Sequence, residues 1–580
     1  MSTRITRRPS TSSSVSADAN LTAAEVLAAN EDVLVTSGDY DEADATSITL
    51  SDETSLSDSD DVTIDGSTVT ITAAGTYVLS GALSDGQVVV DSAGDGVVRL
   101  VLDGVDVVSS TTAAIAVTAA DEVSIVLAAD SVNSLADTST YAEDADVNAA
   151  LFSAADLTIS GTGTLTVTGN GNDGIASKDG LVIESGAITV AAVDDGIRGK
   201  DYLVVNGGDL TVTAGGDGLK ADNADDADRG FISITDGTLS IESGGDALQA
   251  ETDLVITGGD LELVSGGGST ATLADDESAK ALKGLSYVVV EGGTVTADAA
   301  DDAVHSNGAV HLSGGELTLS SADDGVHADT ALLLDGATIT VTSSYEGIES
   351  ALVTIAGGDV TVTSSDDGIN GSGDNVDVVI SGGTVVVNAD GDGFDSNGTA
   401  EMTGGTLVVN GPTNDGNGAL DVDGTFTVSG GTLLAAGSSG MAVTPSADSA
   451  QGFVAATLDQ SLAAGTVVQL VDADGTIVAA FESSKEFSSV VFSSADIEDG
   501  TEYDVYVGGT VTGTVVGGLA SESSLDGATV STTATAGEEL AGMGGGGGGA
   551  AAVAASAAGG SSDDPLSCCP VAANSDTAAC

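Results

Sequence analysis

From residue 170 onward the chain repeats one short unit: an acidic residue, a small residue, then an aliphatic or aromatic one. It occurs at Asp173-Gly174-Ile175, Asp195-Gly196-Ile197, Asp217-Gly218-Leu219 and Asp246-Ala247-Leu248. A degenerate copy, Lys280-Ala281-Leu282, precedes Asp302-Ala303-Val304, Asp324-Gly325-Val326, Glu346-Gly347-Ile348, Asp367-Gly368-Ile369 and Asp392-Gly393-Phe394, and a weak copy stands at Gly418-Ala419-Leu420. Successive spacings are 22, 22, 29, 34, 22, 22, 22, 21, 25 and 26 residues. About twelve residues after the acid comes a Gly pair and an alternating strand, as in Gly207-Gly208-Asp209-Leu210-Thr211-Val212. A period near 22 with two or three short strands per unit predicts a parallel β-helix, a solenoid that buries its core only by stacking. No stretch has the 3.6-residue periodicity of a helical repeat. The longer spacings predict loops near Asp222–Arg229 and Gly266–Glu277, both leaving on one flank.

Strand-like alternation starts near Ala45, so the helix is expected over residues 41–440. Residues 1–40 read as a leader or linker with a short helix at Ala23–Ala29. Residues 441–515 read as a small β domain capping the open end, and 516–580 as a disordered Gly/Ala-rich tail. The expected class is all-β. The three Cys residues, Cys568, Cys569 and Cys580, all fall in the tail, which excludes a disulfide framework for the body.

Charge narrows the partners. With 12 Lys+Arg against 90 Asp+Glu the net charge is −78, which excludes nucleic acid, whose phosphates need a basic face. No apolar run is long enough for a membrane span. A chain this acidic collects cations, and calcium is the expected one outside a cell. No secretory signal follows Arg4, Arg7 and Arg8, but an extracellular or cell-surface location and a monomeric state are the expectations.

Equivalent positions of successive coils stack about 4.8 Å apart, so each sequence column becomes a physical file. Two carboxylates at that spacing repel by roughly 1 kcal/mol in water and more when desolvated. The acidic file, with the acids that precede some of its members, suggests calcium ligands at Asp194, Asp195, Asp301, Asp302, Asp323, Asp324, Glu346, Asp366, Asp367 and Asp392. The alternative is that each Asp only closes its own turn, with Gly next to supply a positive φ. Three residues further lies a second file: Arg198, Lys220, Gln249, Lys283, His305, His327, Glu349, Asn370, Asp395 and Asp421. It takes three of the twelve basic residues and two of the three histidines. Alternation points these side chains outward, so Arg198, Lys220, Gln249, Lys283, His305, His327 and Asn370 are the candidate contacts for an extended polyanion. A salt-bridge ladder that only offsets the acids is the competing reading. Arg229 and Lys485 fit no file and are expected to face solvent, and His311 has no assigned role.

Longer motifs carry a family resemblance. Gly75-Thr-Tyr-Val-Leu-Ser-Gly-Ala-Leu-Ser-Asp-Gly-Gln, Val98-Arg-Leu-Val-Leu-Asp-Gly-Val-Asp, Asn172-Asp-Gly-Ile-Ala-Ser-Lys-Asp and Val193-Asp-Asp-Gly-Ile-Arg-Gly-Lys-Asp resemble the bacterial carbohydrate-binding β-helix family over residues 45–510. The resemblance implies a right-handed parallel β-helix with bound calcium, similar in fold to family nine pectate lyases. It also implies non-catalytic binding of acidic plant polysaccharide such as polygalacturonate. A calcium-dependent polysaccharide lyase, with Lys220 or Lys283 as the base, and a structural or adhesive surface protein are the alternatives.

Overall fold

In the computed structural model, which describes residues 19–540 except 143, 275 and 276, the chain winds into a parallel β-helix with three strands in a typical coil. The sequence unit explains the coil. In the coil beginning at Asp195, Ile197–Gly199 lies in one sheet, Tyr202–Val205 in the next and Asp209–Ala214 in a third. We call these the turn sheet, the middle sheet and the broad sheet. The turn sheet stacks from Thr68–Ile71 to Leu420–Val422, the middle sheet from Thr46–Leu50 to Phe426–Val428. The broad sheet continues to Thr432–Gly437.

The hydrophobic residue of each repeat points inward. Ile197, Leu219, Leu248, Leu282, Val304, Val326, Ile348, Ile369 and Phe394 form an aliphatic-to-aromatic stack of 0% exposure. Burial of such a side chain stabilises by about 1.5–3 kcal/mol, and the repeat multiplies that along the axis. The residue before it must be small because the coils press together there. A Cβ on Gly196 would stand 2.4 Å from Val212 and 2.6 Å from the Gly218 carbonyl oxygen. These glycines do not have positive φ, and Ala247, Ala281 and Ala303 replace them; crowding, not turn geometry, selects them. The second glycine of each pair behaves differently: Gly208 and Gly315 have φ of 101° and 87°, which favours glycine.

The two long insertions leave at different corners. Residues 222–230 separate the turn sheet from the middle sheet, whereas residues 266–281 separate the broad sheet from the turn sheet.

Both ends differ from the sequence expectation. Residues 19–40 are a strap laid across the middle sheet. Its helix, Ala23–Leu27, is capped by Thr22 and Glu25 and buries Ala23 and Val26 against Val255 and Val289. Beyond the helix, Asn30 donates to Asp253 (2.8 Å), Leu34 N–H to the Tyr202 hydroxyl (3.0 Å) and Arg99 to the Ser37 carbonyl (2.7 Å). Arg229 is not a free surface cation: it clamps Glu31 of the strap at 2.8 Å and also pairs with Asp201. His311 is buried, with Nδ1 on the Leu21 carbonyl (2.9 Å) and Nε2 on Asp335 (3.1 Å). The strap escaped the sequence reading because polar contacts, not an apolar periodicity, hold most of it.

At the other end Phe487–Ser493 pairs antiparallel with Thr432–Gly437 and with Phe453–Leu462. A six-stranded antiparallel sheet follows, and it includes Leu519–Ser524 and Thr529–Thr535. The cap therefore extends well past residue 515, and the expected tail shrinks to residues 541–580, which lie outside the described residues with all three Cys. Lys485 is also engaged, holding Asp390 at 2.7 Å and the Ala389 carbonyl at 2.6 Å. Among the described residues no helix is long and apolar enough to cross a membrane.

Candidate functional site

The second file of the sequence stacks in register on the turn sheet. Arg198 pairs with Lys220, Lys220 with Gln249, Gln249 with Lys283, Lys283 with His305 and His305 with His327. His327 then pairs with Glu349, Glu349 with Asn370, Asn370 with Asp395 and Asp395 with Asp421. The acidic file runs beside it but is deeper. Asp173, Asp195, Asp246, Asp302 and Asp324 are 1–6% exposed.

Depth follows from a second duty of the acids. One oxygen of Asp195, Asp217, Asp246, Asp302, Asp367 and Asp392 accepts the backbone N–H at the same position of the next coil. Asp217 N–H donates to Asp195 (2.9 Å), Asp246 N–H to Asp217 (2.8 Å), Asp324 N–H to Asp302 (3.0 Å) and Asp392 N–H to Asp367 (2.6 Å). The carboxylates thus tie coil to coil, rather than closing their own turns. The other oxygen faces the second file.

From Asp173 to Asp324 that oxygen meets a protein cation. Arg198 pairs with Asp173 and Asp222, both at 3.1 Å. Lys220 bridges Asp195 (3.1 Å) and Asp217 (2.8 Å), and Lys283 pairs with Asp246 (2.6 Å). The degenerate repeat proves purposeful, since Lys280 takes the acid's own position. Its N–H caps Asp246, and its ammonium reaches Asp301 and Asp302, both at 2.7 Å. His305 holds Asp302 at 2.8 Å, and His327 holds Asp324 at 2.7 Å and Glu349 at 3.4 Å. The compensation expected from calcium at Asp195, Asp301, Asp302 and Asp324 is therefore supplied here by the chain itself. Asp194 and Asp323 lie exposed beside these pairs.

The electrostatics follow. Burial lowers the proton affinity of His327, but bonds to Asp324 and Glu349 outweigh it and push the imidazole up to about 11. The same bond holds Glu349 down to about 2. Lys220, though desolvated, is held well above an ordinary lysine by Asp217 and Asp195. Asp173 is so deep that burial pushes it up to about 7 despite Arg198.

Past His327 no basic residue occupies either file. Among the described residues no ion pair reaches Glu346, Asp366, Asp367, Asp392, Asp395 or Asp421. Burial and mutual repulsion raise the remaining carboxyls: Glu346 to about 8, Asp395 to about 7 and Asp367 to about 6, with Asp392 and Asp421 also raised. Asn370 donates to Glu346 at 2.6 Å, but its Oδ1 is buried with no hydrogen-bond partner. Gln249 Oε1 is orphaned in the same way. Buried acceptors of this kind are uncommon and ask for a partner. Asp395 and Asp421 were visible in the sequence file, and the sign change along it sets them apart from the paired coils.

A parallel β-helix with stacked polar files on one sheet is a scaffold for extended ligands. The chain belongs to the family of carbohydrate-binding domain-containing proteins, whose model matches residues 65–325 and again 325–501. It is similar to a carbohydrate-binding domain-containing protein of Acetivibrio thermocellus, with 37% identity over 145 residues. That match covers 24% of this chain and 51% of the relative, so the chain spans about half the length of the relative it matches. A solved structure of a polysaccharide lyase-like protein from C. thermocellum, a gadolinium derivative, aligns with 46% of this chain and 97% of that chain. The identity is 29% and the TM-score 0.37.

Proposed function

We propose that this chain binds an acidic, polygalacturonate-like polysaccharide along the turn sheet, without cleaving it, with calcium at the carboxylates past His327. The carrying observation is the uncompensated file there: Glu346, Asp366, Asp367, Asp392, Asp395 and Asp421 stand without a protein cation, beside the orphaned Asn370 Oδ1. The donor set is all oxygen, mixing carboxylates with a neutral carbonyl, which suits calcium rather than a softer ion. When bound, calcium supplies positive charge and open coordination positions that a uronate carboxylate can fill. Arg198, Lys220, Lys283, His305 and His327 offset part of the acidic charge of the preceding coils, so a polyanion meets less repulsion there. Gln249 and Asn370 do not point outward as their place in the file suggested: both are buried and lie beneath the track. An extracellular or cell-surface location and a monomeric state are part of the same proposal.

A lyase reading needs a neutral amine as base. Lys220 lies between two carboxylates that favour its charged form, and Lys283 is committed to Asp246; this supports binding over elimination.

Calorimetric titration of the protein with polygalacturonate, in calcium and in chelator, tests the proposal, with absorbance at 235 nm followed in parallel. Calcium-dependent heat without new absorbance is expected. Heat that is equal in chelator removes the calcium, and rising absorbance makes the protein a lyase.

A further inference from the structure

Two of the chain's three histidines stand one above the other in consecutive coils. The rings of His305 and His327 lie 5.0 Å apart between centroids, tilted by 31°. Asp302 meets Nδ1 of His305 at 2.8 Å, and Asp324 meets Nδ1 of His327 at 2.7 Å. A carboxylate on one imidazole nitrogen is the support that orients a metal-bound histidine and leaves the other nitrogen as the ligand. His327 Nε2 faces Asp329 Oδ1 at 3.2 Å. Ligand-capable atoms of Asp302, His305 and His327 fall within 4.8 Å of one another, as do those of Asp324, His327 and Glu349. The imidazoles are 12% and 22% exposed, within reach of an ion from solvent.

We propose that His305 and His327, with a carboxylate of this cluster, form a site for a first-row transition metal ion of the copper or zinc type. Imidazole nitrogen is a borderline donor that favours such ions, whereas carboxylate-only surroundings favour calcium. The site is thus chemically distinct from the oxygen file that starts at Glu346. Both nitrogens of His327 face carboxylates, Nδ1 toward Asp324 and Glu349 and Nε2 toward Asp329, so the ion enters by replacing a hydrogen on one of them, which leaves to solvent as a proton. His311 is outside the site, held between the strap and Asp335.

The test is electron paramagnetic resonance of the full chain with one equivalent of Cu²⁺ in excess calcium, which occupies carboxylate-only sites. The expected spectrum shows hyperfine coupling to imidazole nitrogen. His305→Gln and His327→Gln each weaken copper binding by at least about tenfold, and His311→Gln leaves the spectrum unchanged. An oxygen-only spectrum for the unsubstituted protein overturns the proposal, and that result needs no variant to fold. Nitrogen coupling that persists in the double variant overturns it equally.

Discussion

Two stretches of one sheet share a backbone, a register and an inward stack, yet settle their charge in opposite ways. Between Asp173 and Asp324 each deep carboxylate has a Lys, Arg or His within 3.1 Å. Between Glu346 and Asp421 the same positions hold acids, one amide and one glycine, and His327 reaches only Glu349. The fold does not require either solution, since both stretches tie their coils through the same carboxylate-to-amide bonds. Coil building and charge pairing are therefore written largely at separate positions of the repeat: the acid and aliphatic residues build the coil, and the residue three beyond the acid, with Lys280 at one acid's own position, decides which carboxylates are paired.

The largest effect that would break this comparison comes from the paired stretch. Lys280→Ala leaves Asp301 and Asp302 with one fewer cation in a largely buried setting, and should cost about 3 kcal/mol in urea unfolding. No loss would mean that the paired stretch is not held by its own cations.

Next is the pH response of the unpaired stretch. Glu346, Asp395 and Asp367 have folded values raised to about 8, 7 and 6, and Asp173, Asp179 and Asp324 outside that stretch are raised to about 7. The native state therefore binds more protons than the unfolded chain between about pH 4 and pH 8, and stability falls as pH rises through that window. In chelator the melting temperature should be lower at pH 8 than at pH 5 by roughly 5 °C or more, and calcium should narrow the gap by the share of Glu346, Asp367 and Asp395. A melting temperature that rises with pH in chelator would contradict this.

The sequence made one half of that contrast readable. The 22-residue period, the inward stack through Ile197 and Phe394, and the register of the second file all follow from spacing, because a coil admits one inward residue at that point. The salt-bridge ladder was readable as the competing arrangement of the second file, but the capping of one coil by the next was not, since which oxygen caps depends on depth that spacing does not encode. Lys280 looked like a damaged repeat, although a cation at the acid's own position is what neutralises Asp301 and Asp302. The strap and the last two cap strands were hidden because Ser, Thr, Gly and Ala mask alternation: Thr529–Thr535 buries no side chain fully.

A smaller, opposite-signed effect sharpens the comparison. Asp395→Asn removes one repelling charge and should stabilise the calcium-free protein by about 1 kcal/mol, while lowering calcium affinity in the same calorimetric cell. Destabilisation in chelator would show that Asp395 already has a partner. The smallest effect lies outside both stretches. Arg229→Ala should release the strap locally, at about 1 kcal/mol or less, read as faster proteolysis within residues 31–40 with little change in global melting.

The most direct test of the division is anomalous diffraction from crystals grown with calcium, recorded at a wavelength where calcium scatters strongly. Peaks between Glu346 and Asp421, with none between Asp195 and Asp217, are the predicted result. Peaks confined to the coils that Lys220 and Lys280 already neutralise would contradict the account.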